Sequence, residues 1–312
     1  MPVKSAYILS IISNMESSLL ENKPVDSSGE PKGQVAGRTR KPYLTIRPSS
    51  GWQAINLRQI WQFRDLLTTL AGRDVKLRYK QTALGVVWVI IQPLMAAGIF
   101  SFVFGNVAKL PSDGVPYFIF SYAGLLGWNA FNSTLGKASS VLVANAGLIS
   151  KVYFPRLVLP LSTVFSTVID FSVALAMMAV LMVINGIVPG IGIVLVPVWL
   201  LLLIMLAVGI GLFTSALMVS YRDIAYIMPV VTNLLLYASP VAYAVSAVPE
   251  SLRPYYFLNP ISSILEALRW SLLGVGNVQW GYVLYSAVVI TAVFIAGAFS
   301  FKRMERQFAD II

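Results

Sequence analysis

Six long apolar runs, at residues 84–108, 116–135, 157–184, 193–220, 224–248 and 282–301, alternate with short polar or mixed segments. A bilayer core takes about 20 apolar residues per helix, so each run is long enough for one crossing. The weakly alternating segments of a transmembrane barrel are absent, and the runs therefore predict helices. Pro93, Pro160, Pro229 and Pro240 fall inside or near the ends of these runs. A span packed against neighbours tolerates them, because those neighbours satisfy the freed carbonyls.

Composition supports lipid as the solvent. Of the 312 residues, 57% are hydrophobic and 12% charged, against roughly 25% charged in soluble chains. With no Cys and no His, disulfides, thiol nucleophiles, histidine bases and the usual zinc sites are excluded. The net charge of +10 would suit nucleic acid, but its placement favours anionic headgroups. Of the 23 Lys and Arg residues, only Lys109, Arg253 and Arg269 fall in alternate loops; the rest lie before span one, in the second and fourth connections, and in the tail. The positive-inside rule then places both termini in the cytoplasm, and six spans satisfy the parity.

The connecting segments differ in kind. Residues 22–50, rich in Pro, Gly, Ser and basic side chains, cannot bury enough apolar area to offset ordering, so 1–50 reads as a mobile cytoplasmic extension. Residues 56–71 place Leu57, Ile60, Trp61, Leu67 and Leu70 at helical spacing, the pattern of an amphipathic helix lying on the inner leaflet. A basic hinge follows, with Arg73, Lys76, Arg78 and Lys80. These cations fit two roles, an anchor on lipid phosphates and a receiver for an anionic substrate headgroup at an inner entrance. Between spans two and three, Val141, Leu142, Ala144 and Leu148 predict a short apolar-sided helix, with a stop near Asn145 and Lys151 beyond it. Its apolar side calls for either a docking partner or its own bundle. After span five, Asn259-Pro260 signals a helix start and Gly274 and Gly276 its end. That helix, too short to cross, carries a Glu266–Arg269 pair three residues apart and reads as resting on, or dipping into, the outer leaflet.

Chemistry is sparse. Asp170 is the acid deep in a span; it reads either as a bundle-facing carboxyl bonded to Ser166, Thr167 or another helix, or as a proton relay. A lone acid with no basic partner in a span favours the first. No phosphate-binding loop of the G-x-x-x-x-G-K-[ST] type occurs, so the chain does not hydrolyse ATP unaided, and an enzyme is not expected. Aromatics crowd spans one and two. Most suit core or interface, while flat faces with polar rims also suit a conduit for sugars.

The run from Asp74 through Arg78-Tyr79-Lys80-Gln81 and Leu84-Gly85 to Gln92-Pro93 resembles the start of span one in ABC-2 type polysaccharide export permeases. Lys151-Val-Tyr-Phe-Pro-Arg156, Tyr221-Arg-Asp-Ile224 and Asn259-Pro260 resemble the same family in the same order. The resemblance covers about residues 55–305 and is nearest to the transmembrane subunits that export O-antigen for lipopolysaccharide; exporters of capsule and teichoic acid are relatives.

The resemblance implies an all-α integral membrane protein: six transmembrane helices, an N-terminal interfacial amphipathic helix and short external helices between spans five and six. Its parts would be an extension (1–50), a gate helix with basic hinge (51–83), a six-span domain (84–305) and a cytoplasmic tail (306–312). It implies a multi-pass protein of the bacterial inner membrane that pairs with a second copy of itself and with two nucleotide-binding ATPase subunits. No cofactor would be bound directly, ATP acting through the partner subunits, and no nucleic acid is involved. The cargo would be a lipid-diphosphate-linked polysaccharide, entering by Arg73, Lys76, Arg78 and Lys80 and passing channel aromatics drawn from Trp88, Phe100, Phe104, Tyr122, Trp128 and Phe131. Val141, Leu142, Asn145, Leu148 and Lys151 would couple to the ATPase, and Tyr221, Arg222 and Asp223 would close a cytoplasmic turn through an Arg–Asp pair. Rival expectations are a capsule, teichoic acid or small-amphiphile exporter, a proton-coupled carrier using Asp170, and a passive scaffold for glycan synthesis.

Overall fold

The computed structural model of the chain describes residues 61–80 and 85–305, and every regular element among them is helical. The extension at 1–50, the first part of the expected gate helix and the tail at 306–312 lie outside the described residues, as do the side chains of Arg78 and Lys80. The main helices are α1 (Arg64–Lys80), α2 (Gly85–Phe100), α3 (Tyr117–Ala144), the single turn α4 (Ala146–Ile149), α5 (Val158–Ile184) and α6 (Val196–Ser220). They are followed by α7 (Ile224–Tyr237), the single turn α8 (Arg253–Tyr256), α9 (Pro260–Leu273) and α10 (Trp280–Met304).

Among the described residues, four helical stretches are long and apolar enough to cross a membrane: Val87–Val107, Val158–Ile184, Ile191–Ser220 and Trp280–Met304. The first runs through α2 into a π-helical segment, Ser101–Val107, where the Ala108 N–H donates to the Val103 carbonyl. α3, with 28 residues, extends about 42 Å at 1.5 Å per residue, but Asn129, Asn132, Ser133 and Thr134 interrupt its apolar character. The expected fifth span is corrected. α7 has 14 residues, about 21 Å, and ends at Tyr237 rather than continuing to 248. Pro240 lacks the N–H that would carry the helix onward, and residues 239–242 run as buried irregular chain instead.

α3 and α6 pack against each other at the centre, with α5 and α10 on their flanks. One core gathers Ile119, Phe131, Met178, Leu203, Ile264, Leu268 and Ile290. A second, at the end of the bundle where α1 lies, joins Leu70 to Leu142, Phe154, Val158, Leu212 and Phe301. Close approach is built with glycine: a Cβ at Gly209 on α6 would stand 2.7 Å from the Phe294 Cα on α10. α9 is the expected short helix, with the Asn259 side chain accepting from the Ile261 N–H and Gly274 closing it at φ 70°. It does not rest on a surface. Ile261, Ile264, Leu265, Leu268 and Leu272 are buried together with its polar residues Glu266 and Arg269, because α3, α6 and α10 surround it.

Candidate functional site

At mid-length, α2, α3 and α5 diverge to leave a recess of about 270 Å³. Gln92 and Pro93 come from α2, Tyr122, Asn129, Asn132 and Ser133 from α3, and Thr167, Asp170 and Phe171 from α5. Beside it the Lys137 ammonium lies 3.4 Å from the Asp170 carboxylate and donates to the Ser166 hydroxyl at 2.9 Å. This corrects the lone-acid expectation. Lys137 sits within α3, which continues past the end of the apolar run at 135 to Ala144, so a residue counted as a loop cation is the partner of Asp170. Gln92, Asn129, Asn132 and Ser133 were not anticipated as a set. The signal was present: positions 122, 126, 129, 132 and 133 share one face of a helix, and three of them are polar inside an apolar run.

The channel aromatics separate by environment. Tyr122 lines the recess, with its hydroxyl donating to the Ala174 carbonyl at 3.0 Å. Trp128 and Phe131 pack in the main core with ring centroids 5.5 Å apart. Phe100 and Phe104 meet edge to face across the start of the π-helical segment, and Trp88 is exposed on α2.

At the α1 end, the basic hinge is not a hinge: α1 stays helical from Arg64 to Lys80, so the cations occupy its last two turns. Arg73 Nη2 donates to Asp74 Oδ1 and to Asn145 Oδ1, both at 3.0 Å. Arg73 is thereby committed to a tie between α1 and the end of α3, whereas Lys76 is exposed. The expected short helix after span two is also corrected. Val141 and Leu142 belong to the last turn of α3 and are buried in the second core. Asn145 breaks the chain, with its side-chain N–H donating to the Val141 carbonyl. Leu148 lies on α4, partly buried, while Lys151 and Tyr153 beyond it are exposed. Tyr221, Arg222 and Asp223 form an exposed turn between α6 and α7. Among the described residues no ion pair joins Arg222 to Asp223; backbone bonds close the turn, including Ala225 N–H to the Arg222 carbonyl at 3.1 Å.

At the opposite end, Arg269 is fully buried. It donates to Glu266 Oε2 at 3.0 Å and to the Pro240 carbonyl, and its guanidinium carbon lies 4.0 Å from the Phe120 ring centroid. The irregular chain after α7 is thus held by side chains: Asn259 donates to the Ser239 hydroxyl at 2.9 Å, and the Tyr117 hydroxyl donates to the Ala242 carbonyl. Gly124 makes room, since a Cβ there would stand 2.9 Å from Arg269 Nη2. Burial pushes the Tyr256 phenol on α8 well above its ordinary pKa, so it faces Arg269 as a neutral group. Among the described residues no cluster of acidic side chains is arranged to hold a metal ion.

Residues 65–273 match the profile of the family described as ABC-2 type transporter. The chain is 29% identical over 251 residues to the O-antigen export system permease protein RfbA of Klebsiella pneumoniae, covering 80% of this chain and 95% of the relative. It is 31% identical over 215 residues to the protein of the same name in Myxococcus xanthus, covering 68% and 82%. It is 24% identical over 203 residues to the polysialic acid transport protein KpsM of Escherichia coli, covering 63% and 77%.

Proposed function

The chain belongs to the ABC-2 type transporter family, and from that premise we propose that it is the transmembrane half of an ATP-driven exporter of lipid-linked polysaccharide of the O-antigen type. The observation that carries the reading is similarity to O-antigen export permeases across four-fifths of the chain. The sequence has no phosphate-binding loop, so the energy must come from a separate nucleotide-binding subunit. On this reading two copies pair, two ATPase subunits dock on the α1 end, and that basic end faces the cytoplasm of the inner membrane. α3, and α7 joined to the buried irregular chain that follows it, add to the four long apolar stretches to make six crossings, and α1 lies along the inner leaflet as a gate.

Exposed Lys76, with Arg78 and Lys80 on the last turn of α1, receives the lipid diphosphate; Arg73 positions α1 instead. The turn at 146–149, with Leu148, Lys151 and Tyr153, is the seat of the ATPase. Closure of the ATPase pair moves that turn and, through the Arg73–Asn145 bond, the gate helix. Against the proton-carrier reading stands the similarity to export permeases.

Reconstitution in vesicles with its ATPase tests the proposal. Lipid-linked glycan is expected to cross only while ATP is hydrolysed. Crossing by this polypeptide alone, or ATP turnover with no movement of glycan, would refute it.

A further inference from the structure

Polar side chains on α3 and α5 fall into two groups. Those facing other helices are satisfied within the protein: Thr134 donates to the Ala130 carbonyl and to Thr167, Ser139 bonds Thr214, and Ser121 donates to backbone carbonyls. Of those lining the recess, Tyr122 and Thr167 are also bonded, but four are not. Gln92 is exposed and Asn129, Asn132 and Ser133 are half-buried; none makes a side-chain hydrogen bond among the described residues, and on the export reading all four lie on helices that cross the membrane. Amides left against hydrocarbon are costly, so three amides and a hydroxyl converging there require water or a polar ligand.

Charge narrows the ligand. Lys137 and Asp170 form an ion pair at the edge and add no net charge, and of the ionisable groups only Asp170 and Tyr122 are among the residues lining the cavity. Nothing there selects a phosphate. Amides and a hydroxyl both donate and accept, the requirement of vicinal hydroxyl groups, while the rings of Tyr122 and Phe171 offer apolar faces to C–H surfaces. A volume of about 270 Å³ admits one sugar unit with a few waters, not a folded polymer.

We propose that this recess is a water-filled station that hydrogen-bonds the uncharged sugar units of the glycan as they pass, with Gln92, Asn129, Asn132 and Ser133 as its contacts. The proposal rests on the export reading and assigns it a site that handles sugar rather than the lipid diphosphate.

The chain contains no cysteine, so Ser133→Cys gives each permease chain one thiol, whose labelling is read on the permease band of the complete permease–ATPase complex in vesicles, with Asn132→Cys as a second probe should the first disturb assembly. A small charged thiol reagent is expected to label it, and added lipid-linked glycan to slow that labelling. Removing two neutral hydrogen bonds, in an Asn129→Ala, Asn132→Cys complex, is expected to raise the glycan concentration for half-protection roughly 5- to 100-fold. Absence of labelling by the charged reagent, with labelling by a lipid-soluble one, overturns the proposal by showing a lipid-facing recess. Labelling that glycan leaves unchanged in a complex that still exports overturns it too, and leaves the export reading standing. Failure of the unmodified complex to move glycan defeats both.

Discussion

Replacing Arg269 by Met keeps an unbranched apolar stem and removes the charge, the bond to Glu266 and the bond to the Pro240 carbonyl. The Glu266 side chain is 4% exposed and that of Arg269 0%, so water does not replace the lost partner. Removing one member of such a pair costs about 3–5 kcal/mol, and loss of the guanidinium over Phe120 falls within the same total because the effects are not additive. Pairing the change with Glu266→Gln abolishes the stranded charge. What then remains is chiefly the unbonded Pro240 carbonyl, about 1–3 kcal/mol, so the double variant is expected to be more stable than Arg269→Met alone. Trp270 on α9 lies 5.8 Å from Trp280, which is 6.4 Å from Trp199, so tryptophan fluorescence reports release of α9 during denaturant titration in detergent. A double variant no more stable than the single, or a single variant within about 1 kcal/mol of the parent, would refute the argument that Arg269, charge-paired with Glu266, ties α9 to the irregular chain after α7.

Lys137→Met leaves Asp170 without its nearby cation and is expected to destabilise by about 1–3 kcal/mol, less than a fully buried pair because both side chains retain some exposure; denaturant titration should show partial recovery in Lys137→Met, Asp170→Asn. Asp170→Asn alone should leave ATP-driven export unchanged when an ionophore collapses the proton gradient, and a gradient-dependent loss would restore the carrier reading. Gly209→Ala drives a methyl into the Phe294 backbone and is expected to lower the folded yield of the chain, measured by size-exclusion chromatography, through separation of α6 from α10. In a double-mutant cycle on export rate, Arg73→Ala and Asn145→Ala should each slow transport and their combination should add little; full additivity would break the link between gate helix and ATPase seat.

Legibility followed the local or distant nature of the signal. The Asn259 cap, the Gly274 stop and the three-residue spacing of Glu266 and Arg269 are local chemistry, and α9 was readable to within a residue. Its burial was not, because an amphipathic surface helix and a helix ringed by α3, α6 and α10 share one pattern at the residues that touch the core. The break after Tyr237 was marked by Pro240, yet apolarity continuing to 248 outweighed it; the decisive partners, Arg269, Tyr117 and Asn259, lie far along the chain or before it. The same distance hid the Arg73–Asn145 tie, since seventy-two positions separate its ends.

Lys137 shows the deeper reason. Counting cations at loop ends assumes that a helix stops where its apolar run stops, but a helix stops where its hydrogen bonds do, and α3 goes on to Ala144. The extra turns carry Lys137 up against α5, where Asp170 repays its desolvation. A carboxylate and an ammonium placed on neighbouring helices in this way neutralise each other, which leaves the amides above them as the groups in the recess still able to bind something. A neutral, hydroxyl-rich cargo is the one such a surface holds weakly at each unit and releases to the next. On the proposed export reading, selection by charge therefore falls to the basic end of α1 and passage to the uncharged middle.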